Sequence, residues 1–376
     1  LSHENKPIAP SPPQHSALST SFHSSLITHH SLLIFLLASL LFFGSEILLW
    51  SNLPMRGAGD WLIRLIAYPA LAALLLEIAA RFRMRDLFGL MALAGIYGLL
   101  NGLLINPDTT LVDIPRTWFT RVMGAQSLMG LLMLSLFFAF SRRFTRTKLI
   151  SLFTSAGIVG TFYGVWGRWA VELQMGVTEF IQARFGIPDG VAYGVTGVEA
   201  DIRQTALITL LLYAVALILI ITALCFLLSR RADDGQPLNL RLSRRALALV
   251  LLILVGLFAL RLLTFVTDTL SLMVLGTFIL ISLGVLYYQQ RKTGGTLLDS
   301  LGSLPVRGWL IVVIVMSVVF IIAAIIGYGL ERGTGADDPI FVITNIFTSY
   351  GLFWLPAVCL VLAARAFIRL SRQGKL

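Results

Sequence analysis

Charge is scarce in this sequence. Asp, Glu, Lys and Arg make up 13% of its 376 residues, against about 25% in a water-soluble domain. The hydrophobic share is 57% and the mean hydropathy +0.85. A chain of this kind cannot cover a folded surface with polar groups, so a large water-soluble core is excluded. Lysine is scarcer still: Lys6, Lys148, Lys292 and Lys375 are the four in the chain, and arginine carries the rest of the basic charge. That bias points to a GC-rich, bacterial genome. There are two cysteines, Cys225 and Cys359, both in apolar runs, which is neither a disulfide framework nor a metal motif.

Histidine is missing from every apolar run. All five histidines fall within residues 1–30, at irregular spacing. No haem or chlorophyll is therefore expected on the apolar runs, and no cofactor is expected at all. Apart from Lys148, which opens the fifth run, no lysine lies in a run either, which disfavours a proton-pumping relay built on buried Lys and Glu. The phosphate-binding GxxxxGK[ST], the zinc-binding HExxH and paired CxxC motifs are absent, as is a G-x-S-x-G serine. Residues 1–30 are polar and contain no apolar stretch of the signal-peptide type. They are expected to form a disordered tail.

What is present is a succession of apolar runs, each near the twenty residues that carry a helix across a bilayer. Ten can be counted, at about 31–50, 60–80, 86–105, 121–141, 148–168, 204–229, 245–266, 268–289, 307–330 and 340–364. Backbone polar groups in lipid must be satisfied internally, and helices do this. The expected fold is all-α: a polytopic membrane bundle of about ten transmembrane helices over 31–365. An outer segment covers 169–203 and a basic tail covers 366–376.

Orientation is predicted from the basic residues. Segments such as RFRMR (81–85) and RRFTRTK (142–148) alternate with acidic loops. Twenty of the 29 Lys and Arg residues fall on one side and seven on the other. The rule that basic loops stay inside places both termini in the cytoplasm of a bacterial cell and 169–203 outside the plasma (inner) membrane. The net charge of +10 is accounted for by these loops, so nucleic acid is not an expected partner. Within 171–186 the apolar residues recur at helical spacing, which predicts a helix lying in the outer interface.

Packing is predicted from small residues. Ala94, Gly98 and Gly102 form one four-residue ladder and Ala156, Gly160 and Gly164 another. Such ladders let helices approach closely in lipid. Pro69 and Pro356 are each expected to bend a helix.

The intramembrane polar set is small: Glu46, Arg64, Glu77, Asn101, Arg261 and Asn345. Glu46 ends the first run and Arg64 starts the second. They should lie at one depth on consecutive antiparallel helices and pair. Glu77 should pair with Arg81 one turn away. The remaining polarity gathers at the outer ends, and Arg168 marks the end of the fifth run. The candidate binding residues are thus Glu46, Arg64, Asn101, Arg168, Arg261 and Asn345. They read either as a shallow polar cavity open to the outside or as an ion pair with snorkelling side chains that fixes helix register.

Three functions fit. The leading one is a transporter or flippase for an amphipathic or lipidic solute, with membrane lipids as partners. The second is a non-catalytic subunit of a larger assembly, with other integral membrane subunits as partners. The third is an enzyme acting on a lipid-linked substrate, with Arg64, Arg184, Arg203 or Arg261 holding a pyrophosphate and Asp60 or Glu46 as base. No compact acidic motif accompanies these arginines, which makes the third the weakest.

Overall fold

The computed structural model describes residues 30–49, 57–110, 114, 116–140, 144–169, 196–230, 240–264, 269–289, 296–299 and 308–330, with scattered positions between 339 and 372. Helix is the recurring element and no strand occurs among the described residues. We label the long helices α1 (His30–Leu48), α2 (Ala58–Arg81), α3 (Leu87–Leu104), α4 (Trp118–Phe140), α5 (Arg146–Trp169), α6 (Thr196–Ser229), α7 (Arg244–Thr264), α8 (Thr269–Gln289) and α9 (Trp309–Gly329). Seven of them, α1 to α6 and α9, are long and apolar enough to cross a membrane. The chain is a helical, multi-pass membrane protein by that measure.

The helices lie at nine of the ten places where the sequence places an apolar run. The tenth run, which contains Pro356 and Asn345, lies almost wholly outside the described residues, as does the interfacial helix expected within 171–186. One boundary differs clearly. α6 begins at Thr196 rather than near 204. TGVEADIR contains no proline and no glycine beyond its first turn, so nothing stops the helix from extending past the apolar run.

α1 to α4 form the core. Between 61% and 72% of their apolar windows is buried, against 22% to 28% for α5, α6 and α9. The outer faces are apolar: Leu212, Leu219, Leu252, Ile311 and Ile322 are all exposed. In water such surfaces would associate, whereas lipid solvates them. α3 is central and packs against α2, α4, α7 and α8.

The two ladders of small residues are seams. A Cβ on Gly160 would meet the Phe320 carbonyl, and one on Gly164 would meet the Ala324 carbonyl. From the facing side, Gly327 lies against the backbone of Thr161. α5 and α9 thus touch backbone to backbone, the most extensive helix pair in the structure. On α3, Gly98 abuts the Val122 carbonyl and Ser127 of α4. Contacts of this kind replace the hydrophobic driving force that lipid removes.

Two stretches are wound as π-helix, Phe43–Leu48 at the end of α1 and Trp118–Gln126 at the start of α4. All six residues of the first are buried, Ser45 and Glu46 included. In the second, Ser127 Oγ donates to the Val122 carbonyl five residues back (3.0 Å), bridging the wide turn. α2 runs unbroken through Pro69.

α2 and α3 are joined by residues 82–86. Arg83 adopts a left-handed conformation (φ 49°), which reverses the chain in a few residues. Met84 is buried, its N–H donates to the Ala79 carbonyl (3.2 Å), and its carbonyl accepts from Leu297 N (2.8 Å). Asp86 then caps α3 by accepting from Gly89 N (2.9 Å).

Candidate functional site

Two features stand apart from the apolar packing: a buried polar network where α1 ends and α2 and α4 begin, and a cavity reaching the opposite end.

The network is centred on Glu46, whose side chain is fully buried beside an equally buried Arg64. Arg64 Nε donates to Glu46 Oε2 (3.2 Å). Glu46 Oε1 accepts from the Tyr68 hydroxyl (2.6 Å) and from Asn106 Nδ2 (2.8 Å). Arg64 also reaches Asn106 Oδ1 through Nη2 (3.1 Å), and the Asp60 carbonyl and carboxylate through Nη1 (3.3 Å each). Every contact to Glu46 named here comes from a donor, which suits an ionised carboxylate. Asp60, at the first turn of α2, is partly exposed and carries the network towards the surface.

A second tier lies behind it. Asn101 Nδ2 donates to Tyr68 Oη (2.9 Å) and Tyr97 Oη (3.2 Å), while Asn101 Oδ1 accepts from Asn106 Nδ2 (2.9 Å). Tyr97 Oη is hydrogen-bonded to Ser45 Oγ (2.5 Å) and also reaches the Leu41 carbonyl (3.3 Å). Ser45 Oγ donates to Gln126 Oε1 (2.6 Å). The π-wound ends of α1 and α4 supply Ser45, Glu46 and Gln126, so both irregular turns border this network. Phe42 and Trp61 cover its flank: Phe42 stacks on Trp61 and meets Tyr68 edge-on, and Trp61 stacks on Tyr213.

Of the six candidate residues, the structure brings together Glu46, Arg64 and Asn101. Arg168 and Arg261 lie in α5 and α7, with side chains outside the described set, and Asn345 is outside the described residues. The three that converge are sealed from solvent and none of them lines the cavity described below. Arg203 lies in α6 and Arg184 is outside the described residues. Arg64 is engaged with protein acceptors. Sequence reasoning missed Ser45, Tyr68, Tyr97, Asn106 and Gln126. Tyrosines count as apolar in a hydropathy reading, and Asn106 reads as a loop residue. A signal was present nonetheless: Tyr68 follows Arg64, and Tyr97 precedes Asn101, by four residues, on the same helix faces.

Glu77, towards the other end of α2, is separate. It accepts from Arg81 (3.2 Å) and from Leu242 N (2.7 Å), so it ties the chain entering α7 to α2.

The cavity has a volume of about 560 Å³, within the range of about 300–1,000 Å³ usual for ligand sites. It lies among α1, α4, α5, α6 and α9. Its walls are mainly apolar, including Leu40, Leu136 and Phe320, with Ser135, Ser155 and Ser317 among them. Arg85 and Lys148 line it where α3 and α5 begin. No group of three or more His, Cys, Asp or Glu side chains suited to a metal ion occurs among the described residues.

No known family, curated protein or solved structure matches this chain.

Proposed function

We propose that this protein is a bacterial plasma-membrane protein that carries an amphipathic or lipidic solute, in the manner of a transporter or flippase. The observation that carries this reading is the 560 Å³ cavity, apolar along its length and basic where α3 and α5 begin. Apolar walls with a few polar groups at one end suit a molecule with a chain and a head. In this reading the basic ends face the cytoplasm, the cavity opens towards the inner leaflet, and membrane lipids are the partners. The buried network acts as a strut that holds α1, α2, α3 and α4 in register.

The test is reconstitution into vesicles carrying a fluorescent-tail phospholipid, with an impermeant quencher outside. The protein should raise the quenched fraction well above the half accessible in protein-free vesicles. Ser155→Phe, which puts a ring into the cavity, should reduce the gain. A quenched fraction equal to that of empty vesicles, or one unchanged by Ser155→Phe, overturns the reading.

One observation favours the second reading, an integral subunit of a larger assembly. Gly256 on α7 and Gly276 and Gly284 on α8 have no atom of the described residues near the position of a Cβ. Small residues in membrane helices belong at helix contacts. Recovery of the chain in a stoichiometric complex after gentle extraction would support that alternative.

A further inference from the structure

We propose that Arg85 is an anion seat: it takes the phosphate of an anionic phospholipid whose acyl chain occupies the cavity. This rests on the cavity reading above and names the chemistry of the occupant.

Three observations converge. The first is that the chain is held on both sides of Arg85. Its neighbour Met84 is held by two backbone hydrogen bonds, one to Ala79 and one from Leu297, and its other neighbour Asp86 caps α3.

The second is that its guanidinium makes no hydrogen bond among the described residues. Nε, Nη1 and Nη2 are all buried, and none has a hydrogen-bond partner among the described residues. The nearby acids make their hydrogen bonds elsewhere, and Asp299 acts on Arg85 only through space. Asp86 accepts from Gly89 N and pairs with Arg365 (3.7 Å). Asp299 accepts from Thr296 N (2.6 Å) and Thr296 Oγ1 (2.7 Å). A shielded guanidinium without acceptors is costly. Its five donors form a planar fork that matches two phosphate oxygens at once.

The third is what lies beside it. Arg85 lines an apolar cavity in a membrane protein, and Lys148 lines the same cavity as a second cation. The surroundings are basic, with Arg83 and Arg365 nearby. A free phosphate would leave the apolar volume unfilled, and a zwitterionic phospholipid would bring, with its phosphate, a headgroup cation beside Arg85 and Lys148 that like charge disfavours. An anionic phospholipid avoids both. In the orientation proposed above the seat faces the leaflet where basic clusters meet anionic lipid.

The test is native mass spectrometry of the purified full chain in detergent, titrated with dioleoyl phosphatidylglycerol and separately with dioleoyl phosphatidylcholine. Wild type should bind the first at least about tenfold tighter, the value of one charge-assisted hydrogen bond. Arg85→Gln should erase that preference, Arg85→Lys should keep part of it, and Lys148→Gln should weaken it less. Ser155→Phe should lose both lipids. Equal binding of the two lipids by wild type overturns the seat and leaves the cavity reading standing; this arm does not depend on any variant folding. Undiminished preference in Arg85→Gln does the same. Ser155→Phe binding both lipids like wild type overturns the cavity reading together with the seat. Inorganic phosphate alone raising the melting temperature as much as phosphatidylglycerol overturns the lipid as occupant.

Discussion

Glu46 and Arg64 are sealed inside the bundle and answered by protein atoms, whereas Arg85, towards the other end of α3, is shielded and answered by none of the described ones. The difference is instructive because both regions carry charge that lipid would not tolerate unpaired. In the network, four helices contribute complementary groups, so the polar interior locks them in one register. At the cavity the helices stay apart and leave a volume whose chemistry is incomplete without an occupant. A polar group in a membrane bundle is thus read as structural or as ligand-seeking from its hydrogen-bond inventory, not from its depth.

The strongest way to break this contrast is to orphan one member of the network. Glu46→Gln or Arg64→Gln should each cost about 3–5 kcal/mol, because a buried charge loses its partner. The double replacement should cost less than the sum of the singles. Thermal unfolding in detergent measures this, and strict additivity would show that the two side chains act separately.

Next in size is the α5–α9 seam. Gly164→Val forces a side chain against the Ala324 carbonyl and should cost about 1–3 kcal/mol or more through overpacking. Gly256→Val, with no described residue near that position, is the control and should leave the melting temperature nearly unchanged. Equal losses at both sites would mean that the seam does not set the helix spacing.

Tyr97→Phe removes the hydroxyl shared by Ser45 and Asn101 and should cost about 1–3 kcal/mol. Its effect should couple to that of Ser45→Ala, with additivity arguing against the second tier. Arg85→Leu sharpens the comparison from the other side. In lipid-free detergent it should not lower the melting temperature and should raise it slightly, since a shielded guanidinium without hydrogen-bond partners among the described residues is removed. A loss as large as that of Arg64→Gln would make Arg85 structural.

The smallest expected effect is at Asp299, outside the spans. Hydrogen bonds from the Thr296 hydroxyl and backbone, with help from Arg83 and Arg85, hold its carboxyl below the usual value. A depressed folded value means that the contribution is fully present above the ordinary carboxylate range and is lost as the pH falls through the folded value. Asp299 is exposed, so screening keeps the effect small. Wild type and Thr296→Ala should therefore have melting temperatures that differ slightly at neutral pH and converge in acid. A difference that persists at low pH would separate the turn from the charge on Asp299.

The network was half legible in the sequence. Glu46 and Arg64 could be matched because both are ionised residues at the facing ends of consecutive apolar runs, where antiparallel geometry puts them at one depth. Asn101 could be assigned to the same end. Asn106 and Gln126 could not be joined to them: the first follows a helix end and the second sits on a π-wound turn whose phase a 3.6-residue repeat does not describe. The two glycine ladders were legible as seams, but not which helix each one meets. Arg85 read as one more basic loop residue, since nothing in RFRMR shows which arginine turns inward.

Composition and run length by themselves pointed to a helical, multi-pass chain, because backbone groups in hydrocarbon must be satisfied within a helix or a closed barrel, and apolar runs of about twenty residues suit the helix. The small-residue ladders determined which faces come close. Only the tertiary structure decided that the buried charges are sealed, that two turns widen to bring Ser45, Glu46 and Gln126 to them, and that a cavity opens beside an arginine without hydrogen-bond partners among the described residues. Those outcomes depend on residues far apart in the chain meeting across helices, and hydrogen-bond satisfaction is a property of the assembled set rather than of any one segment.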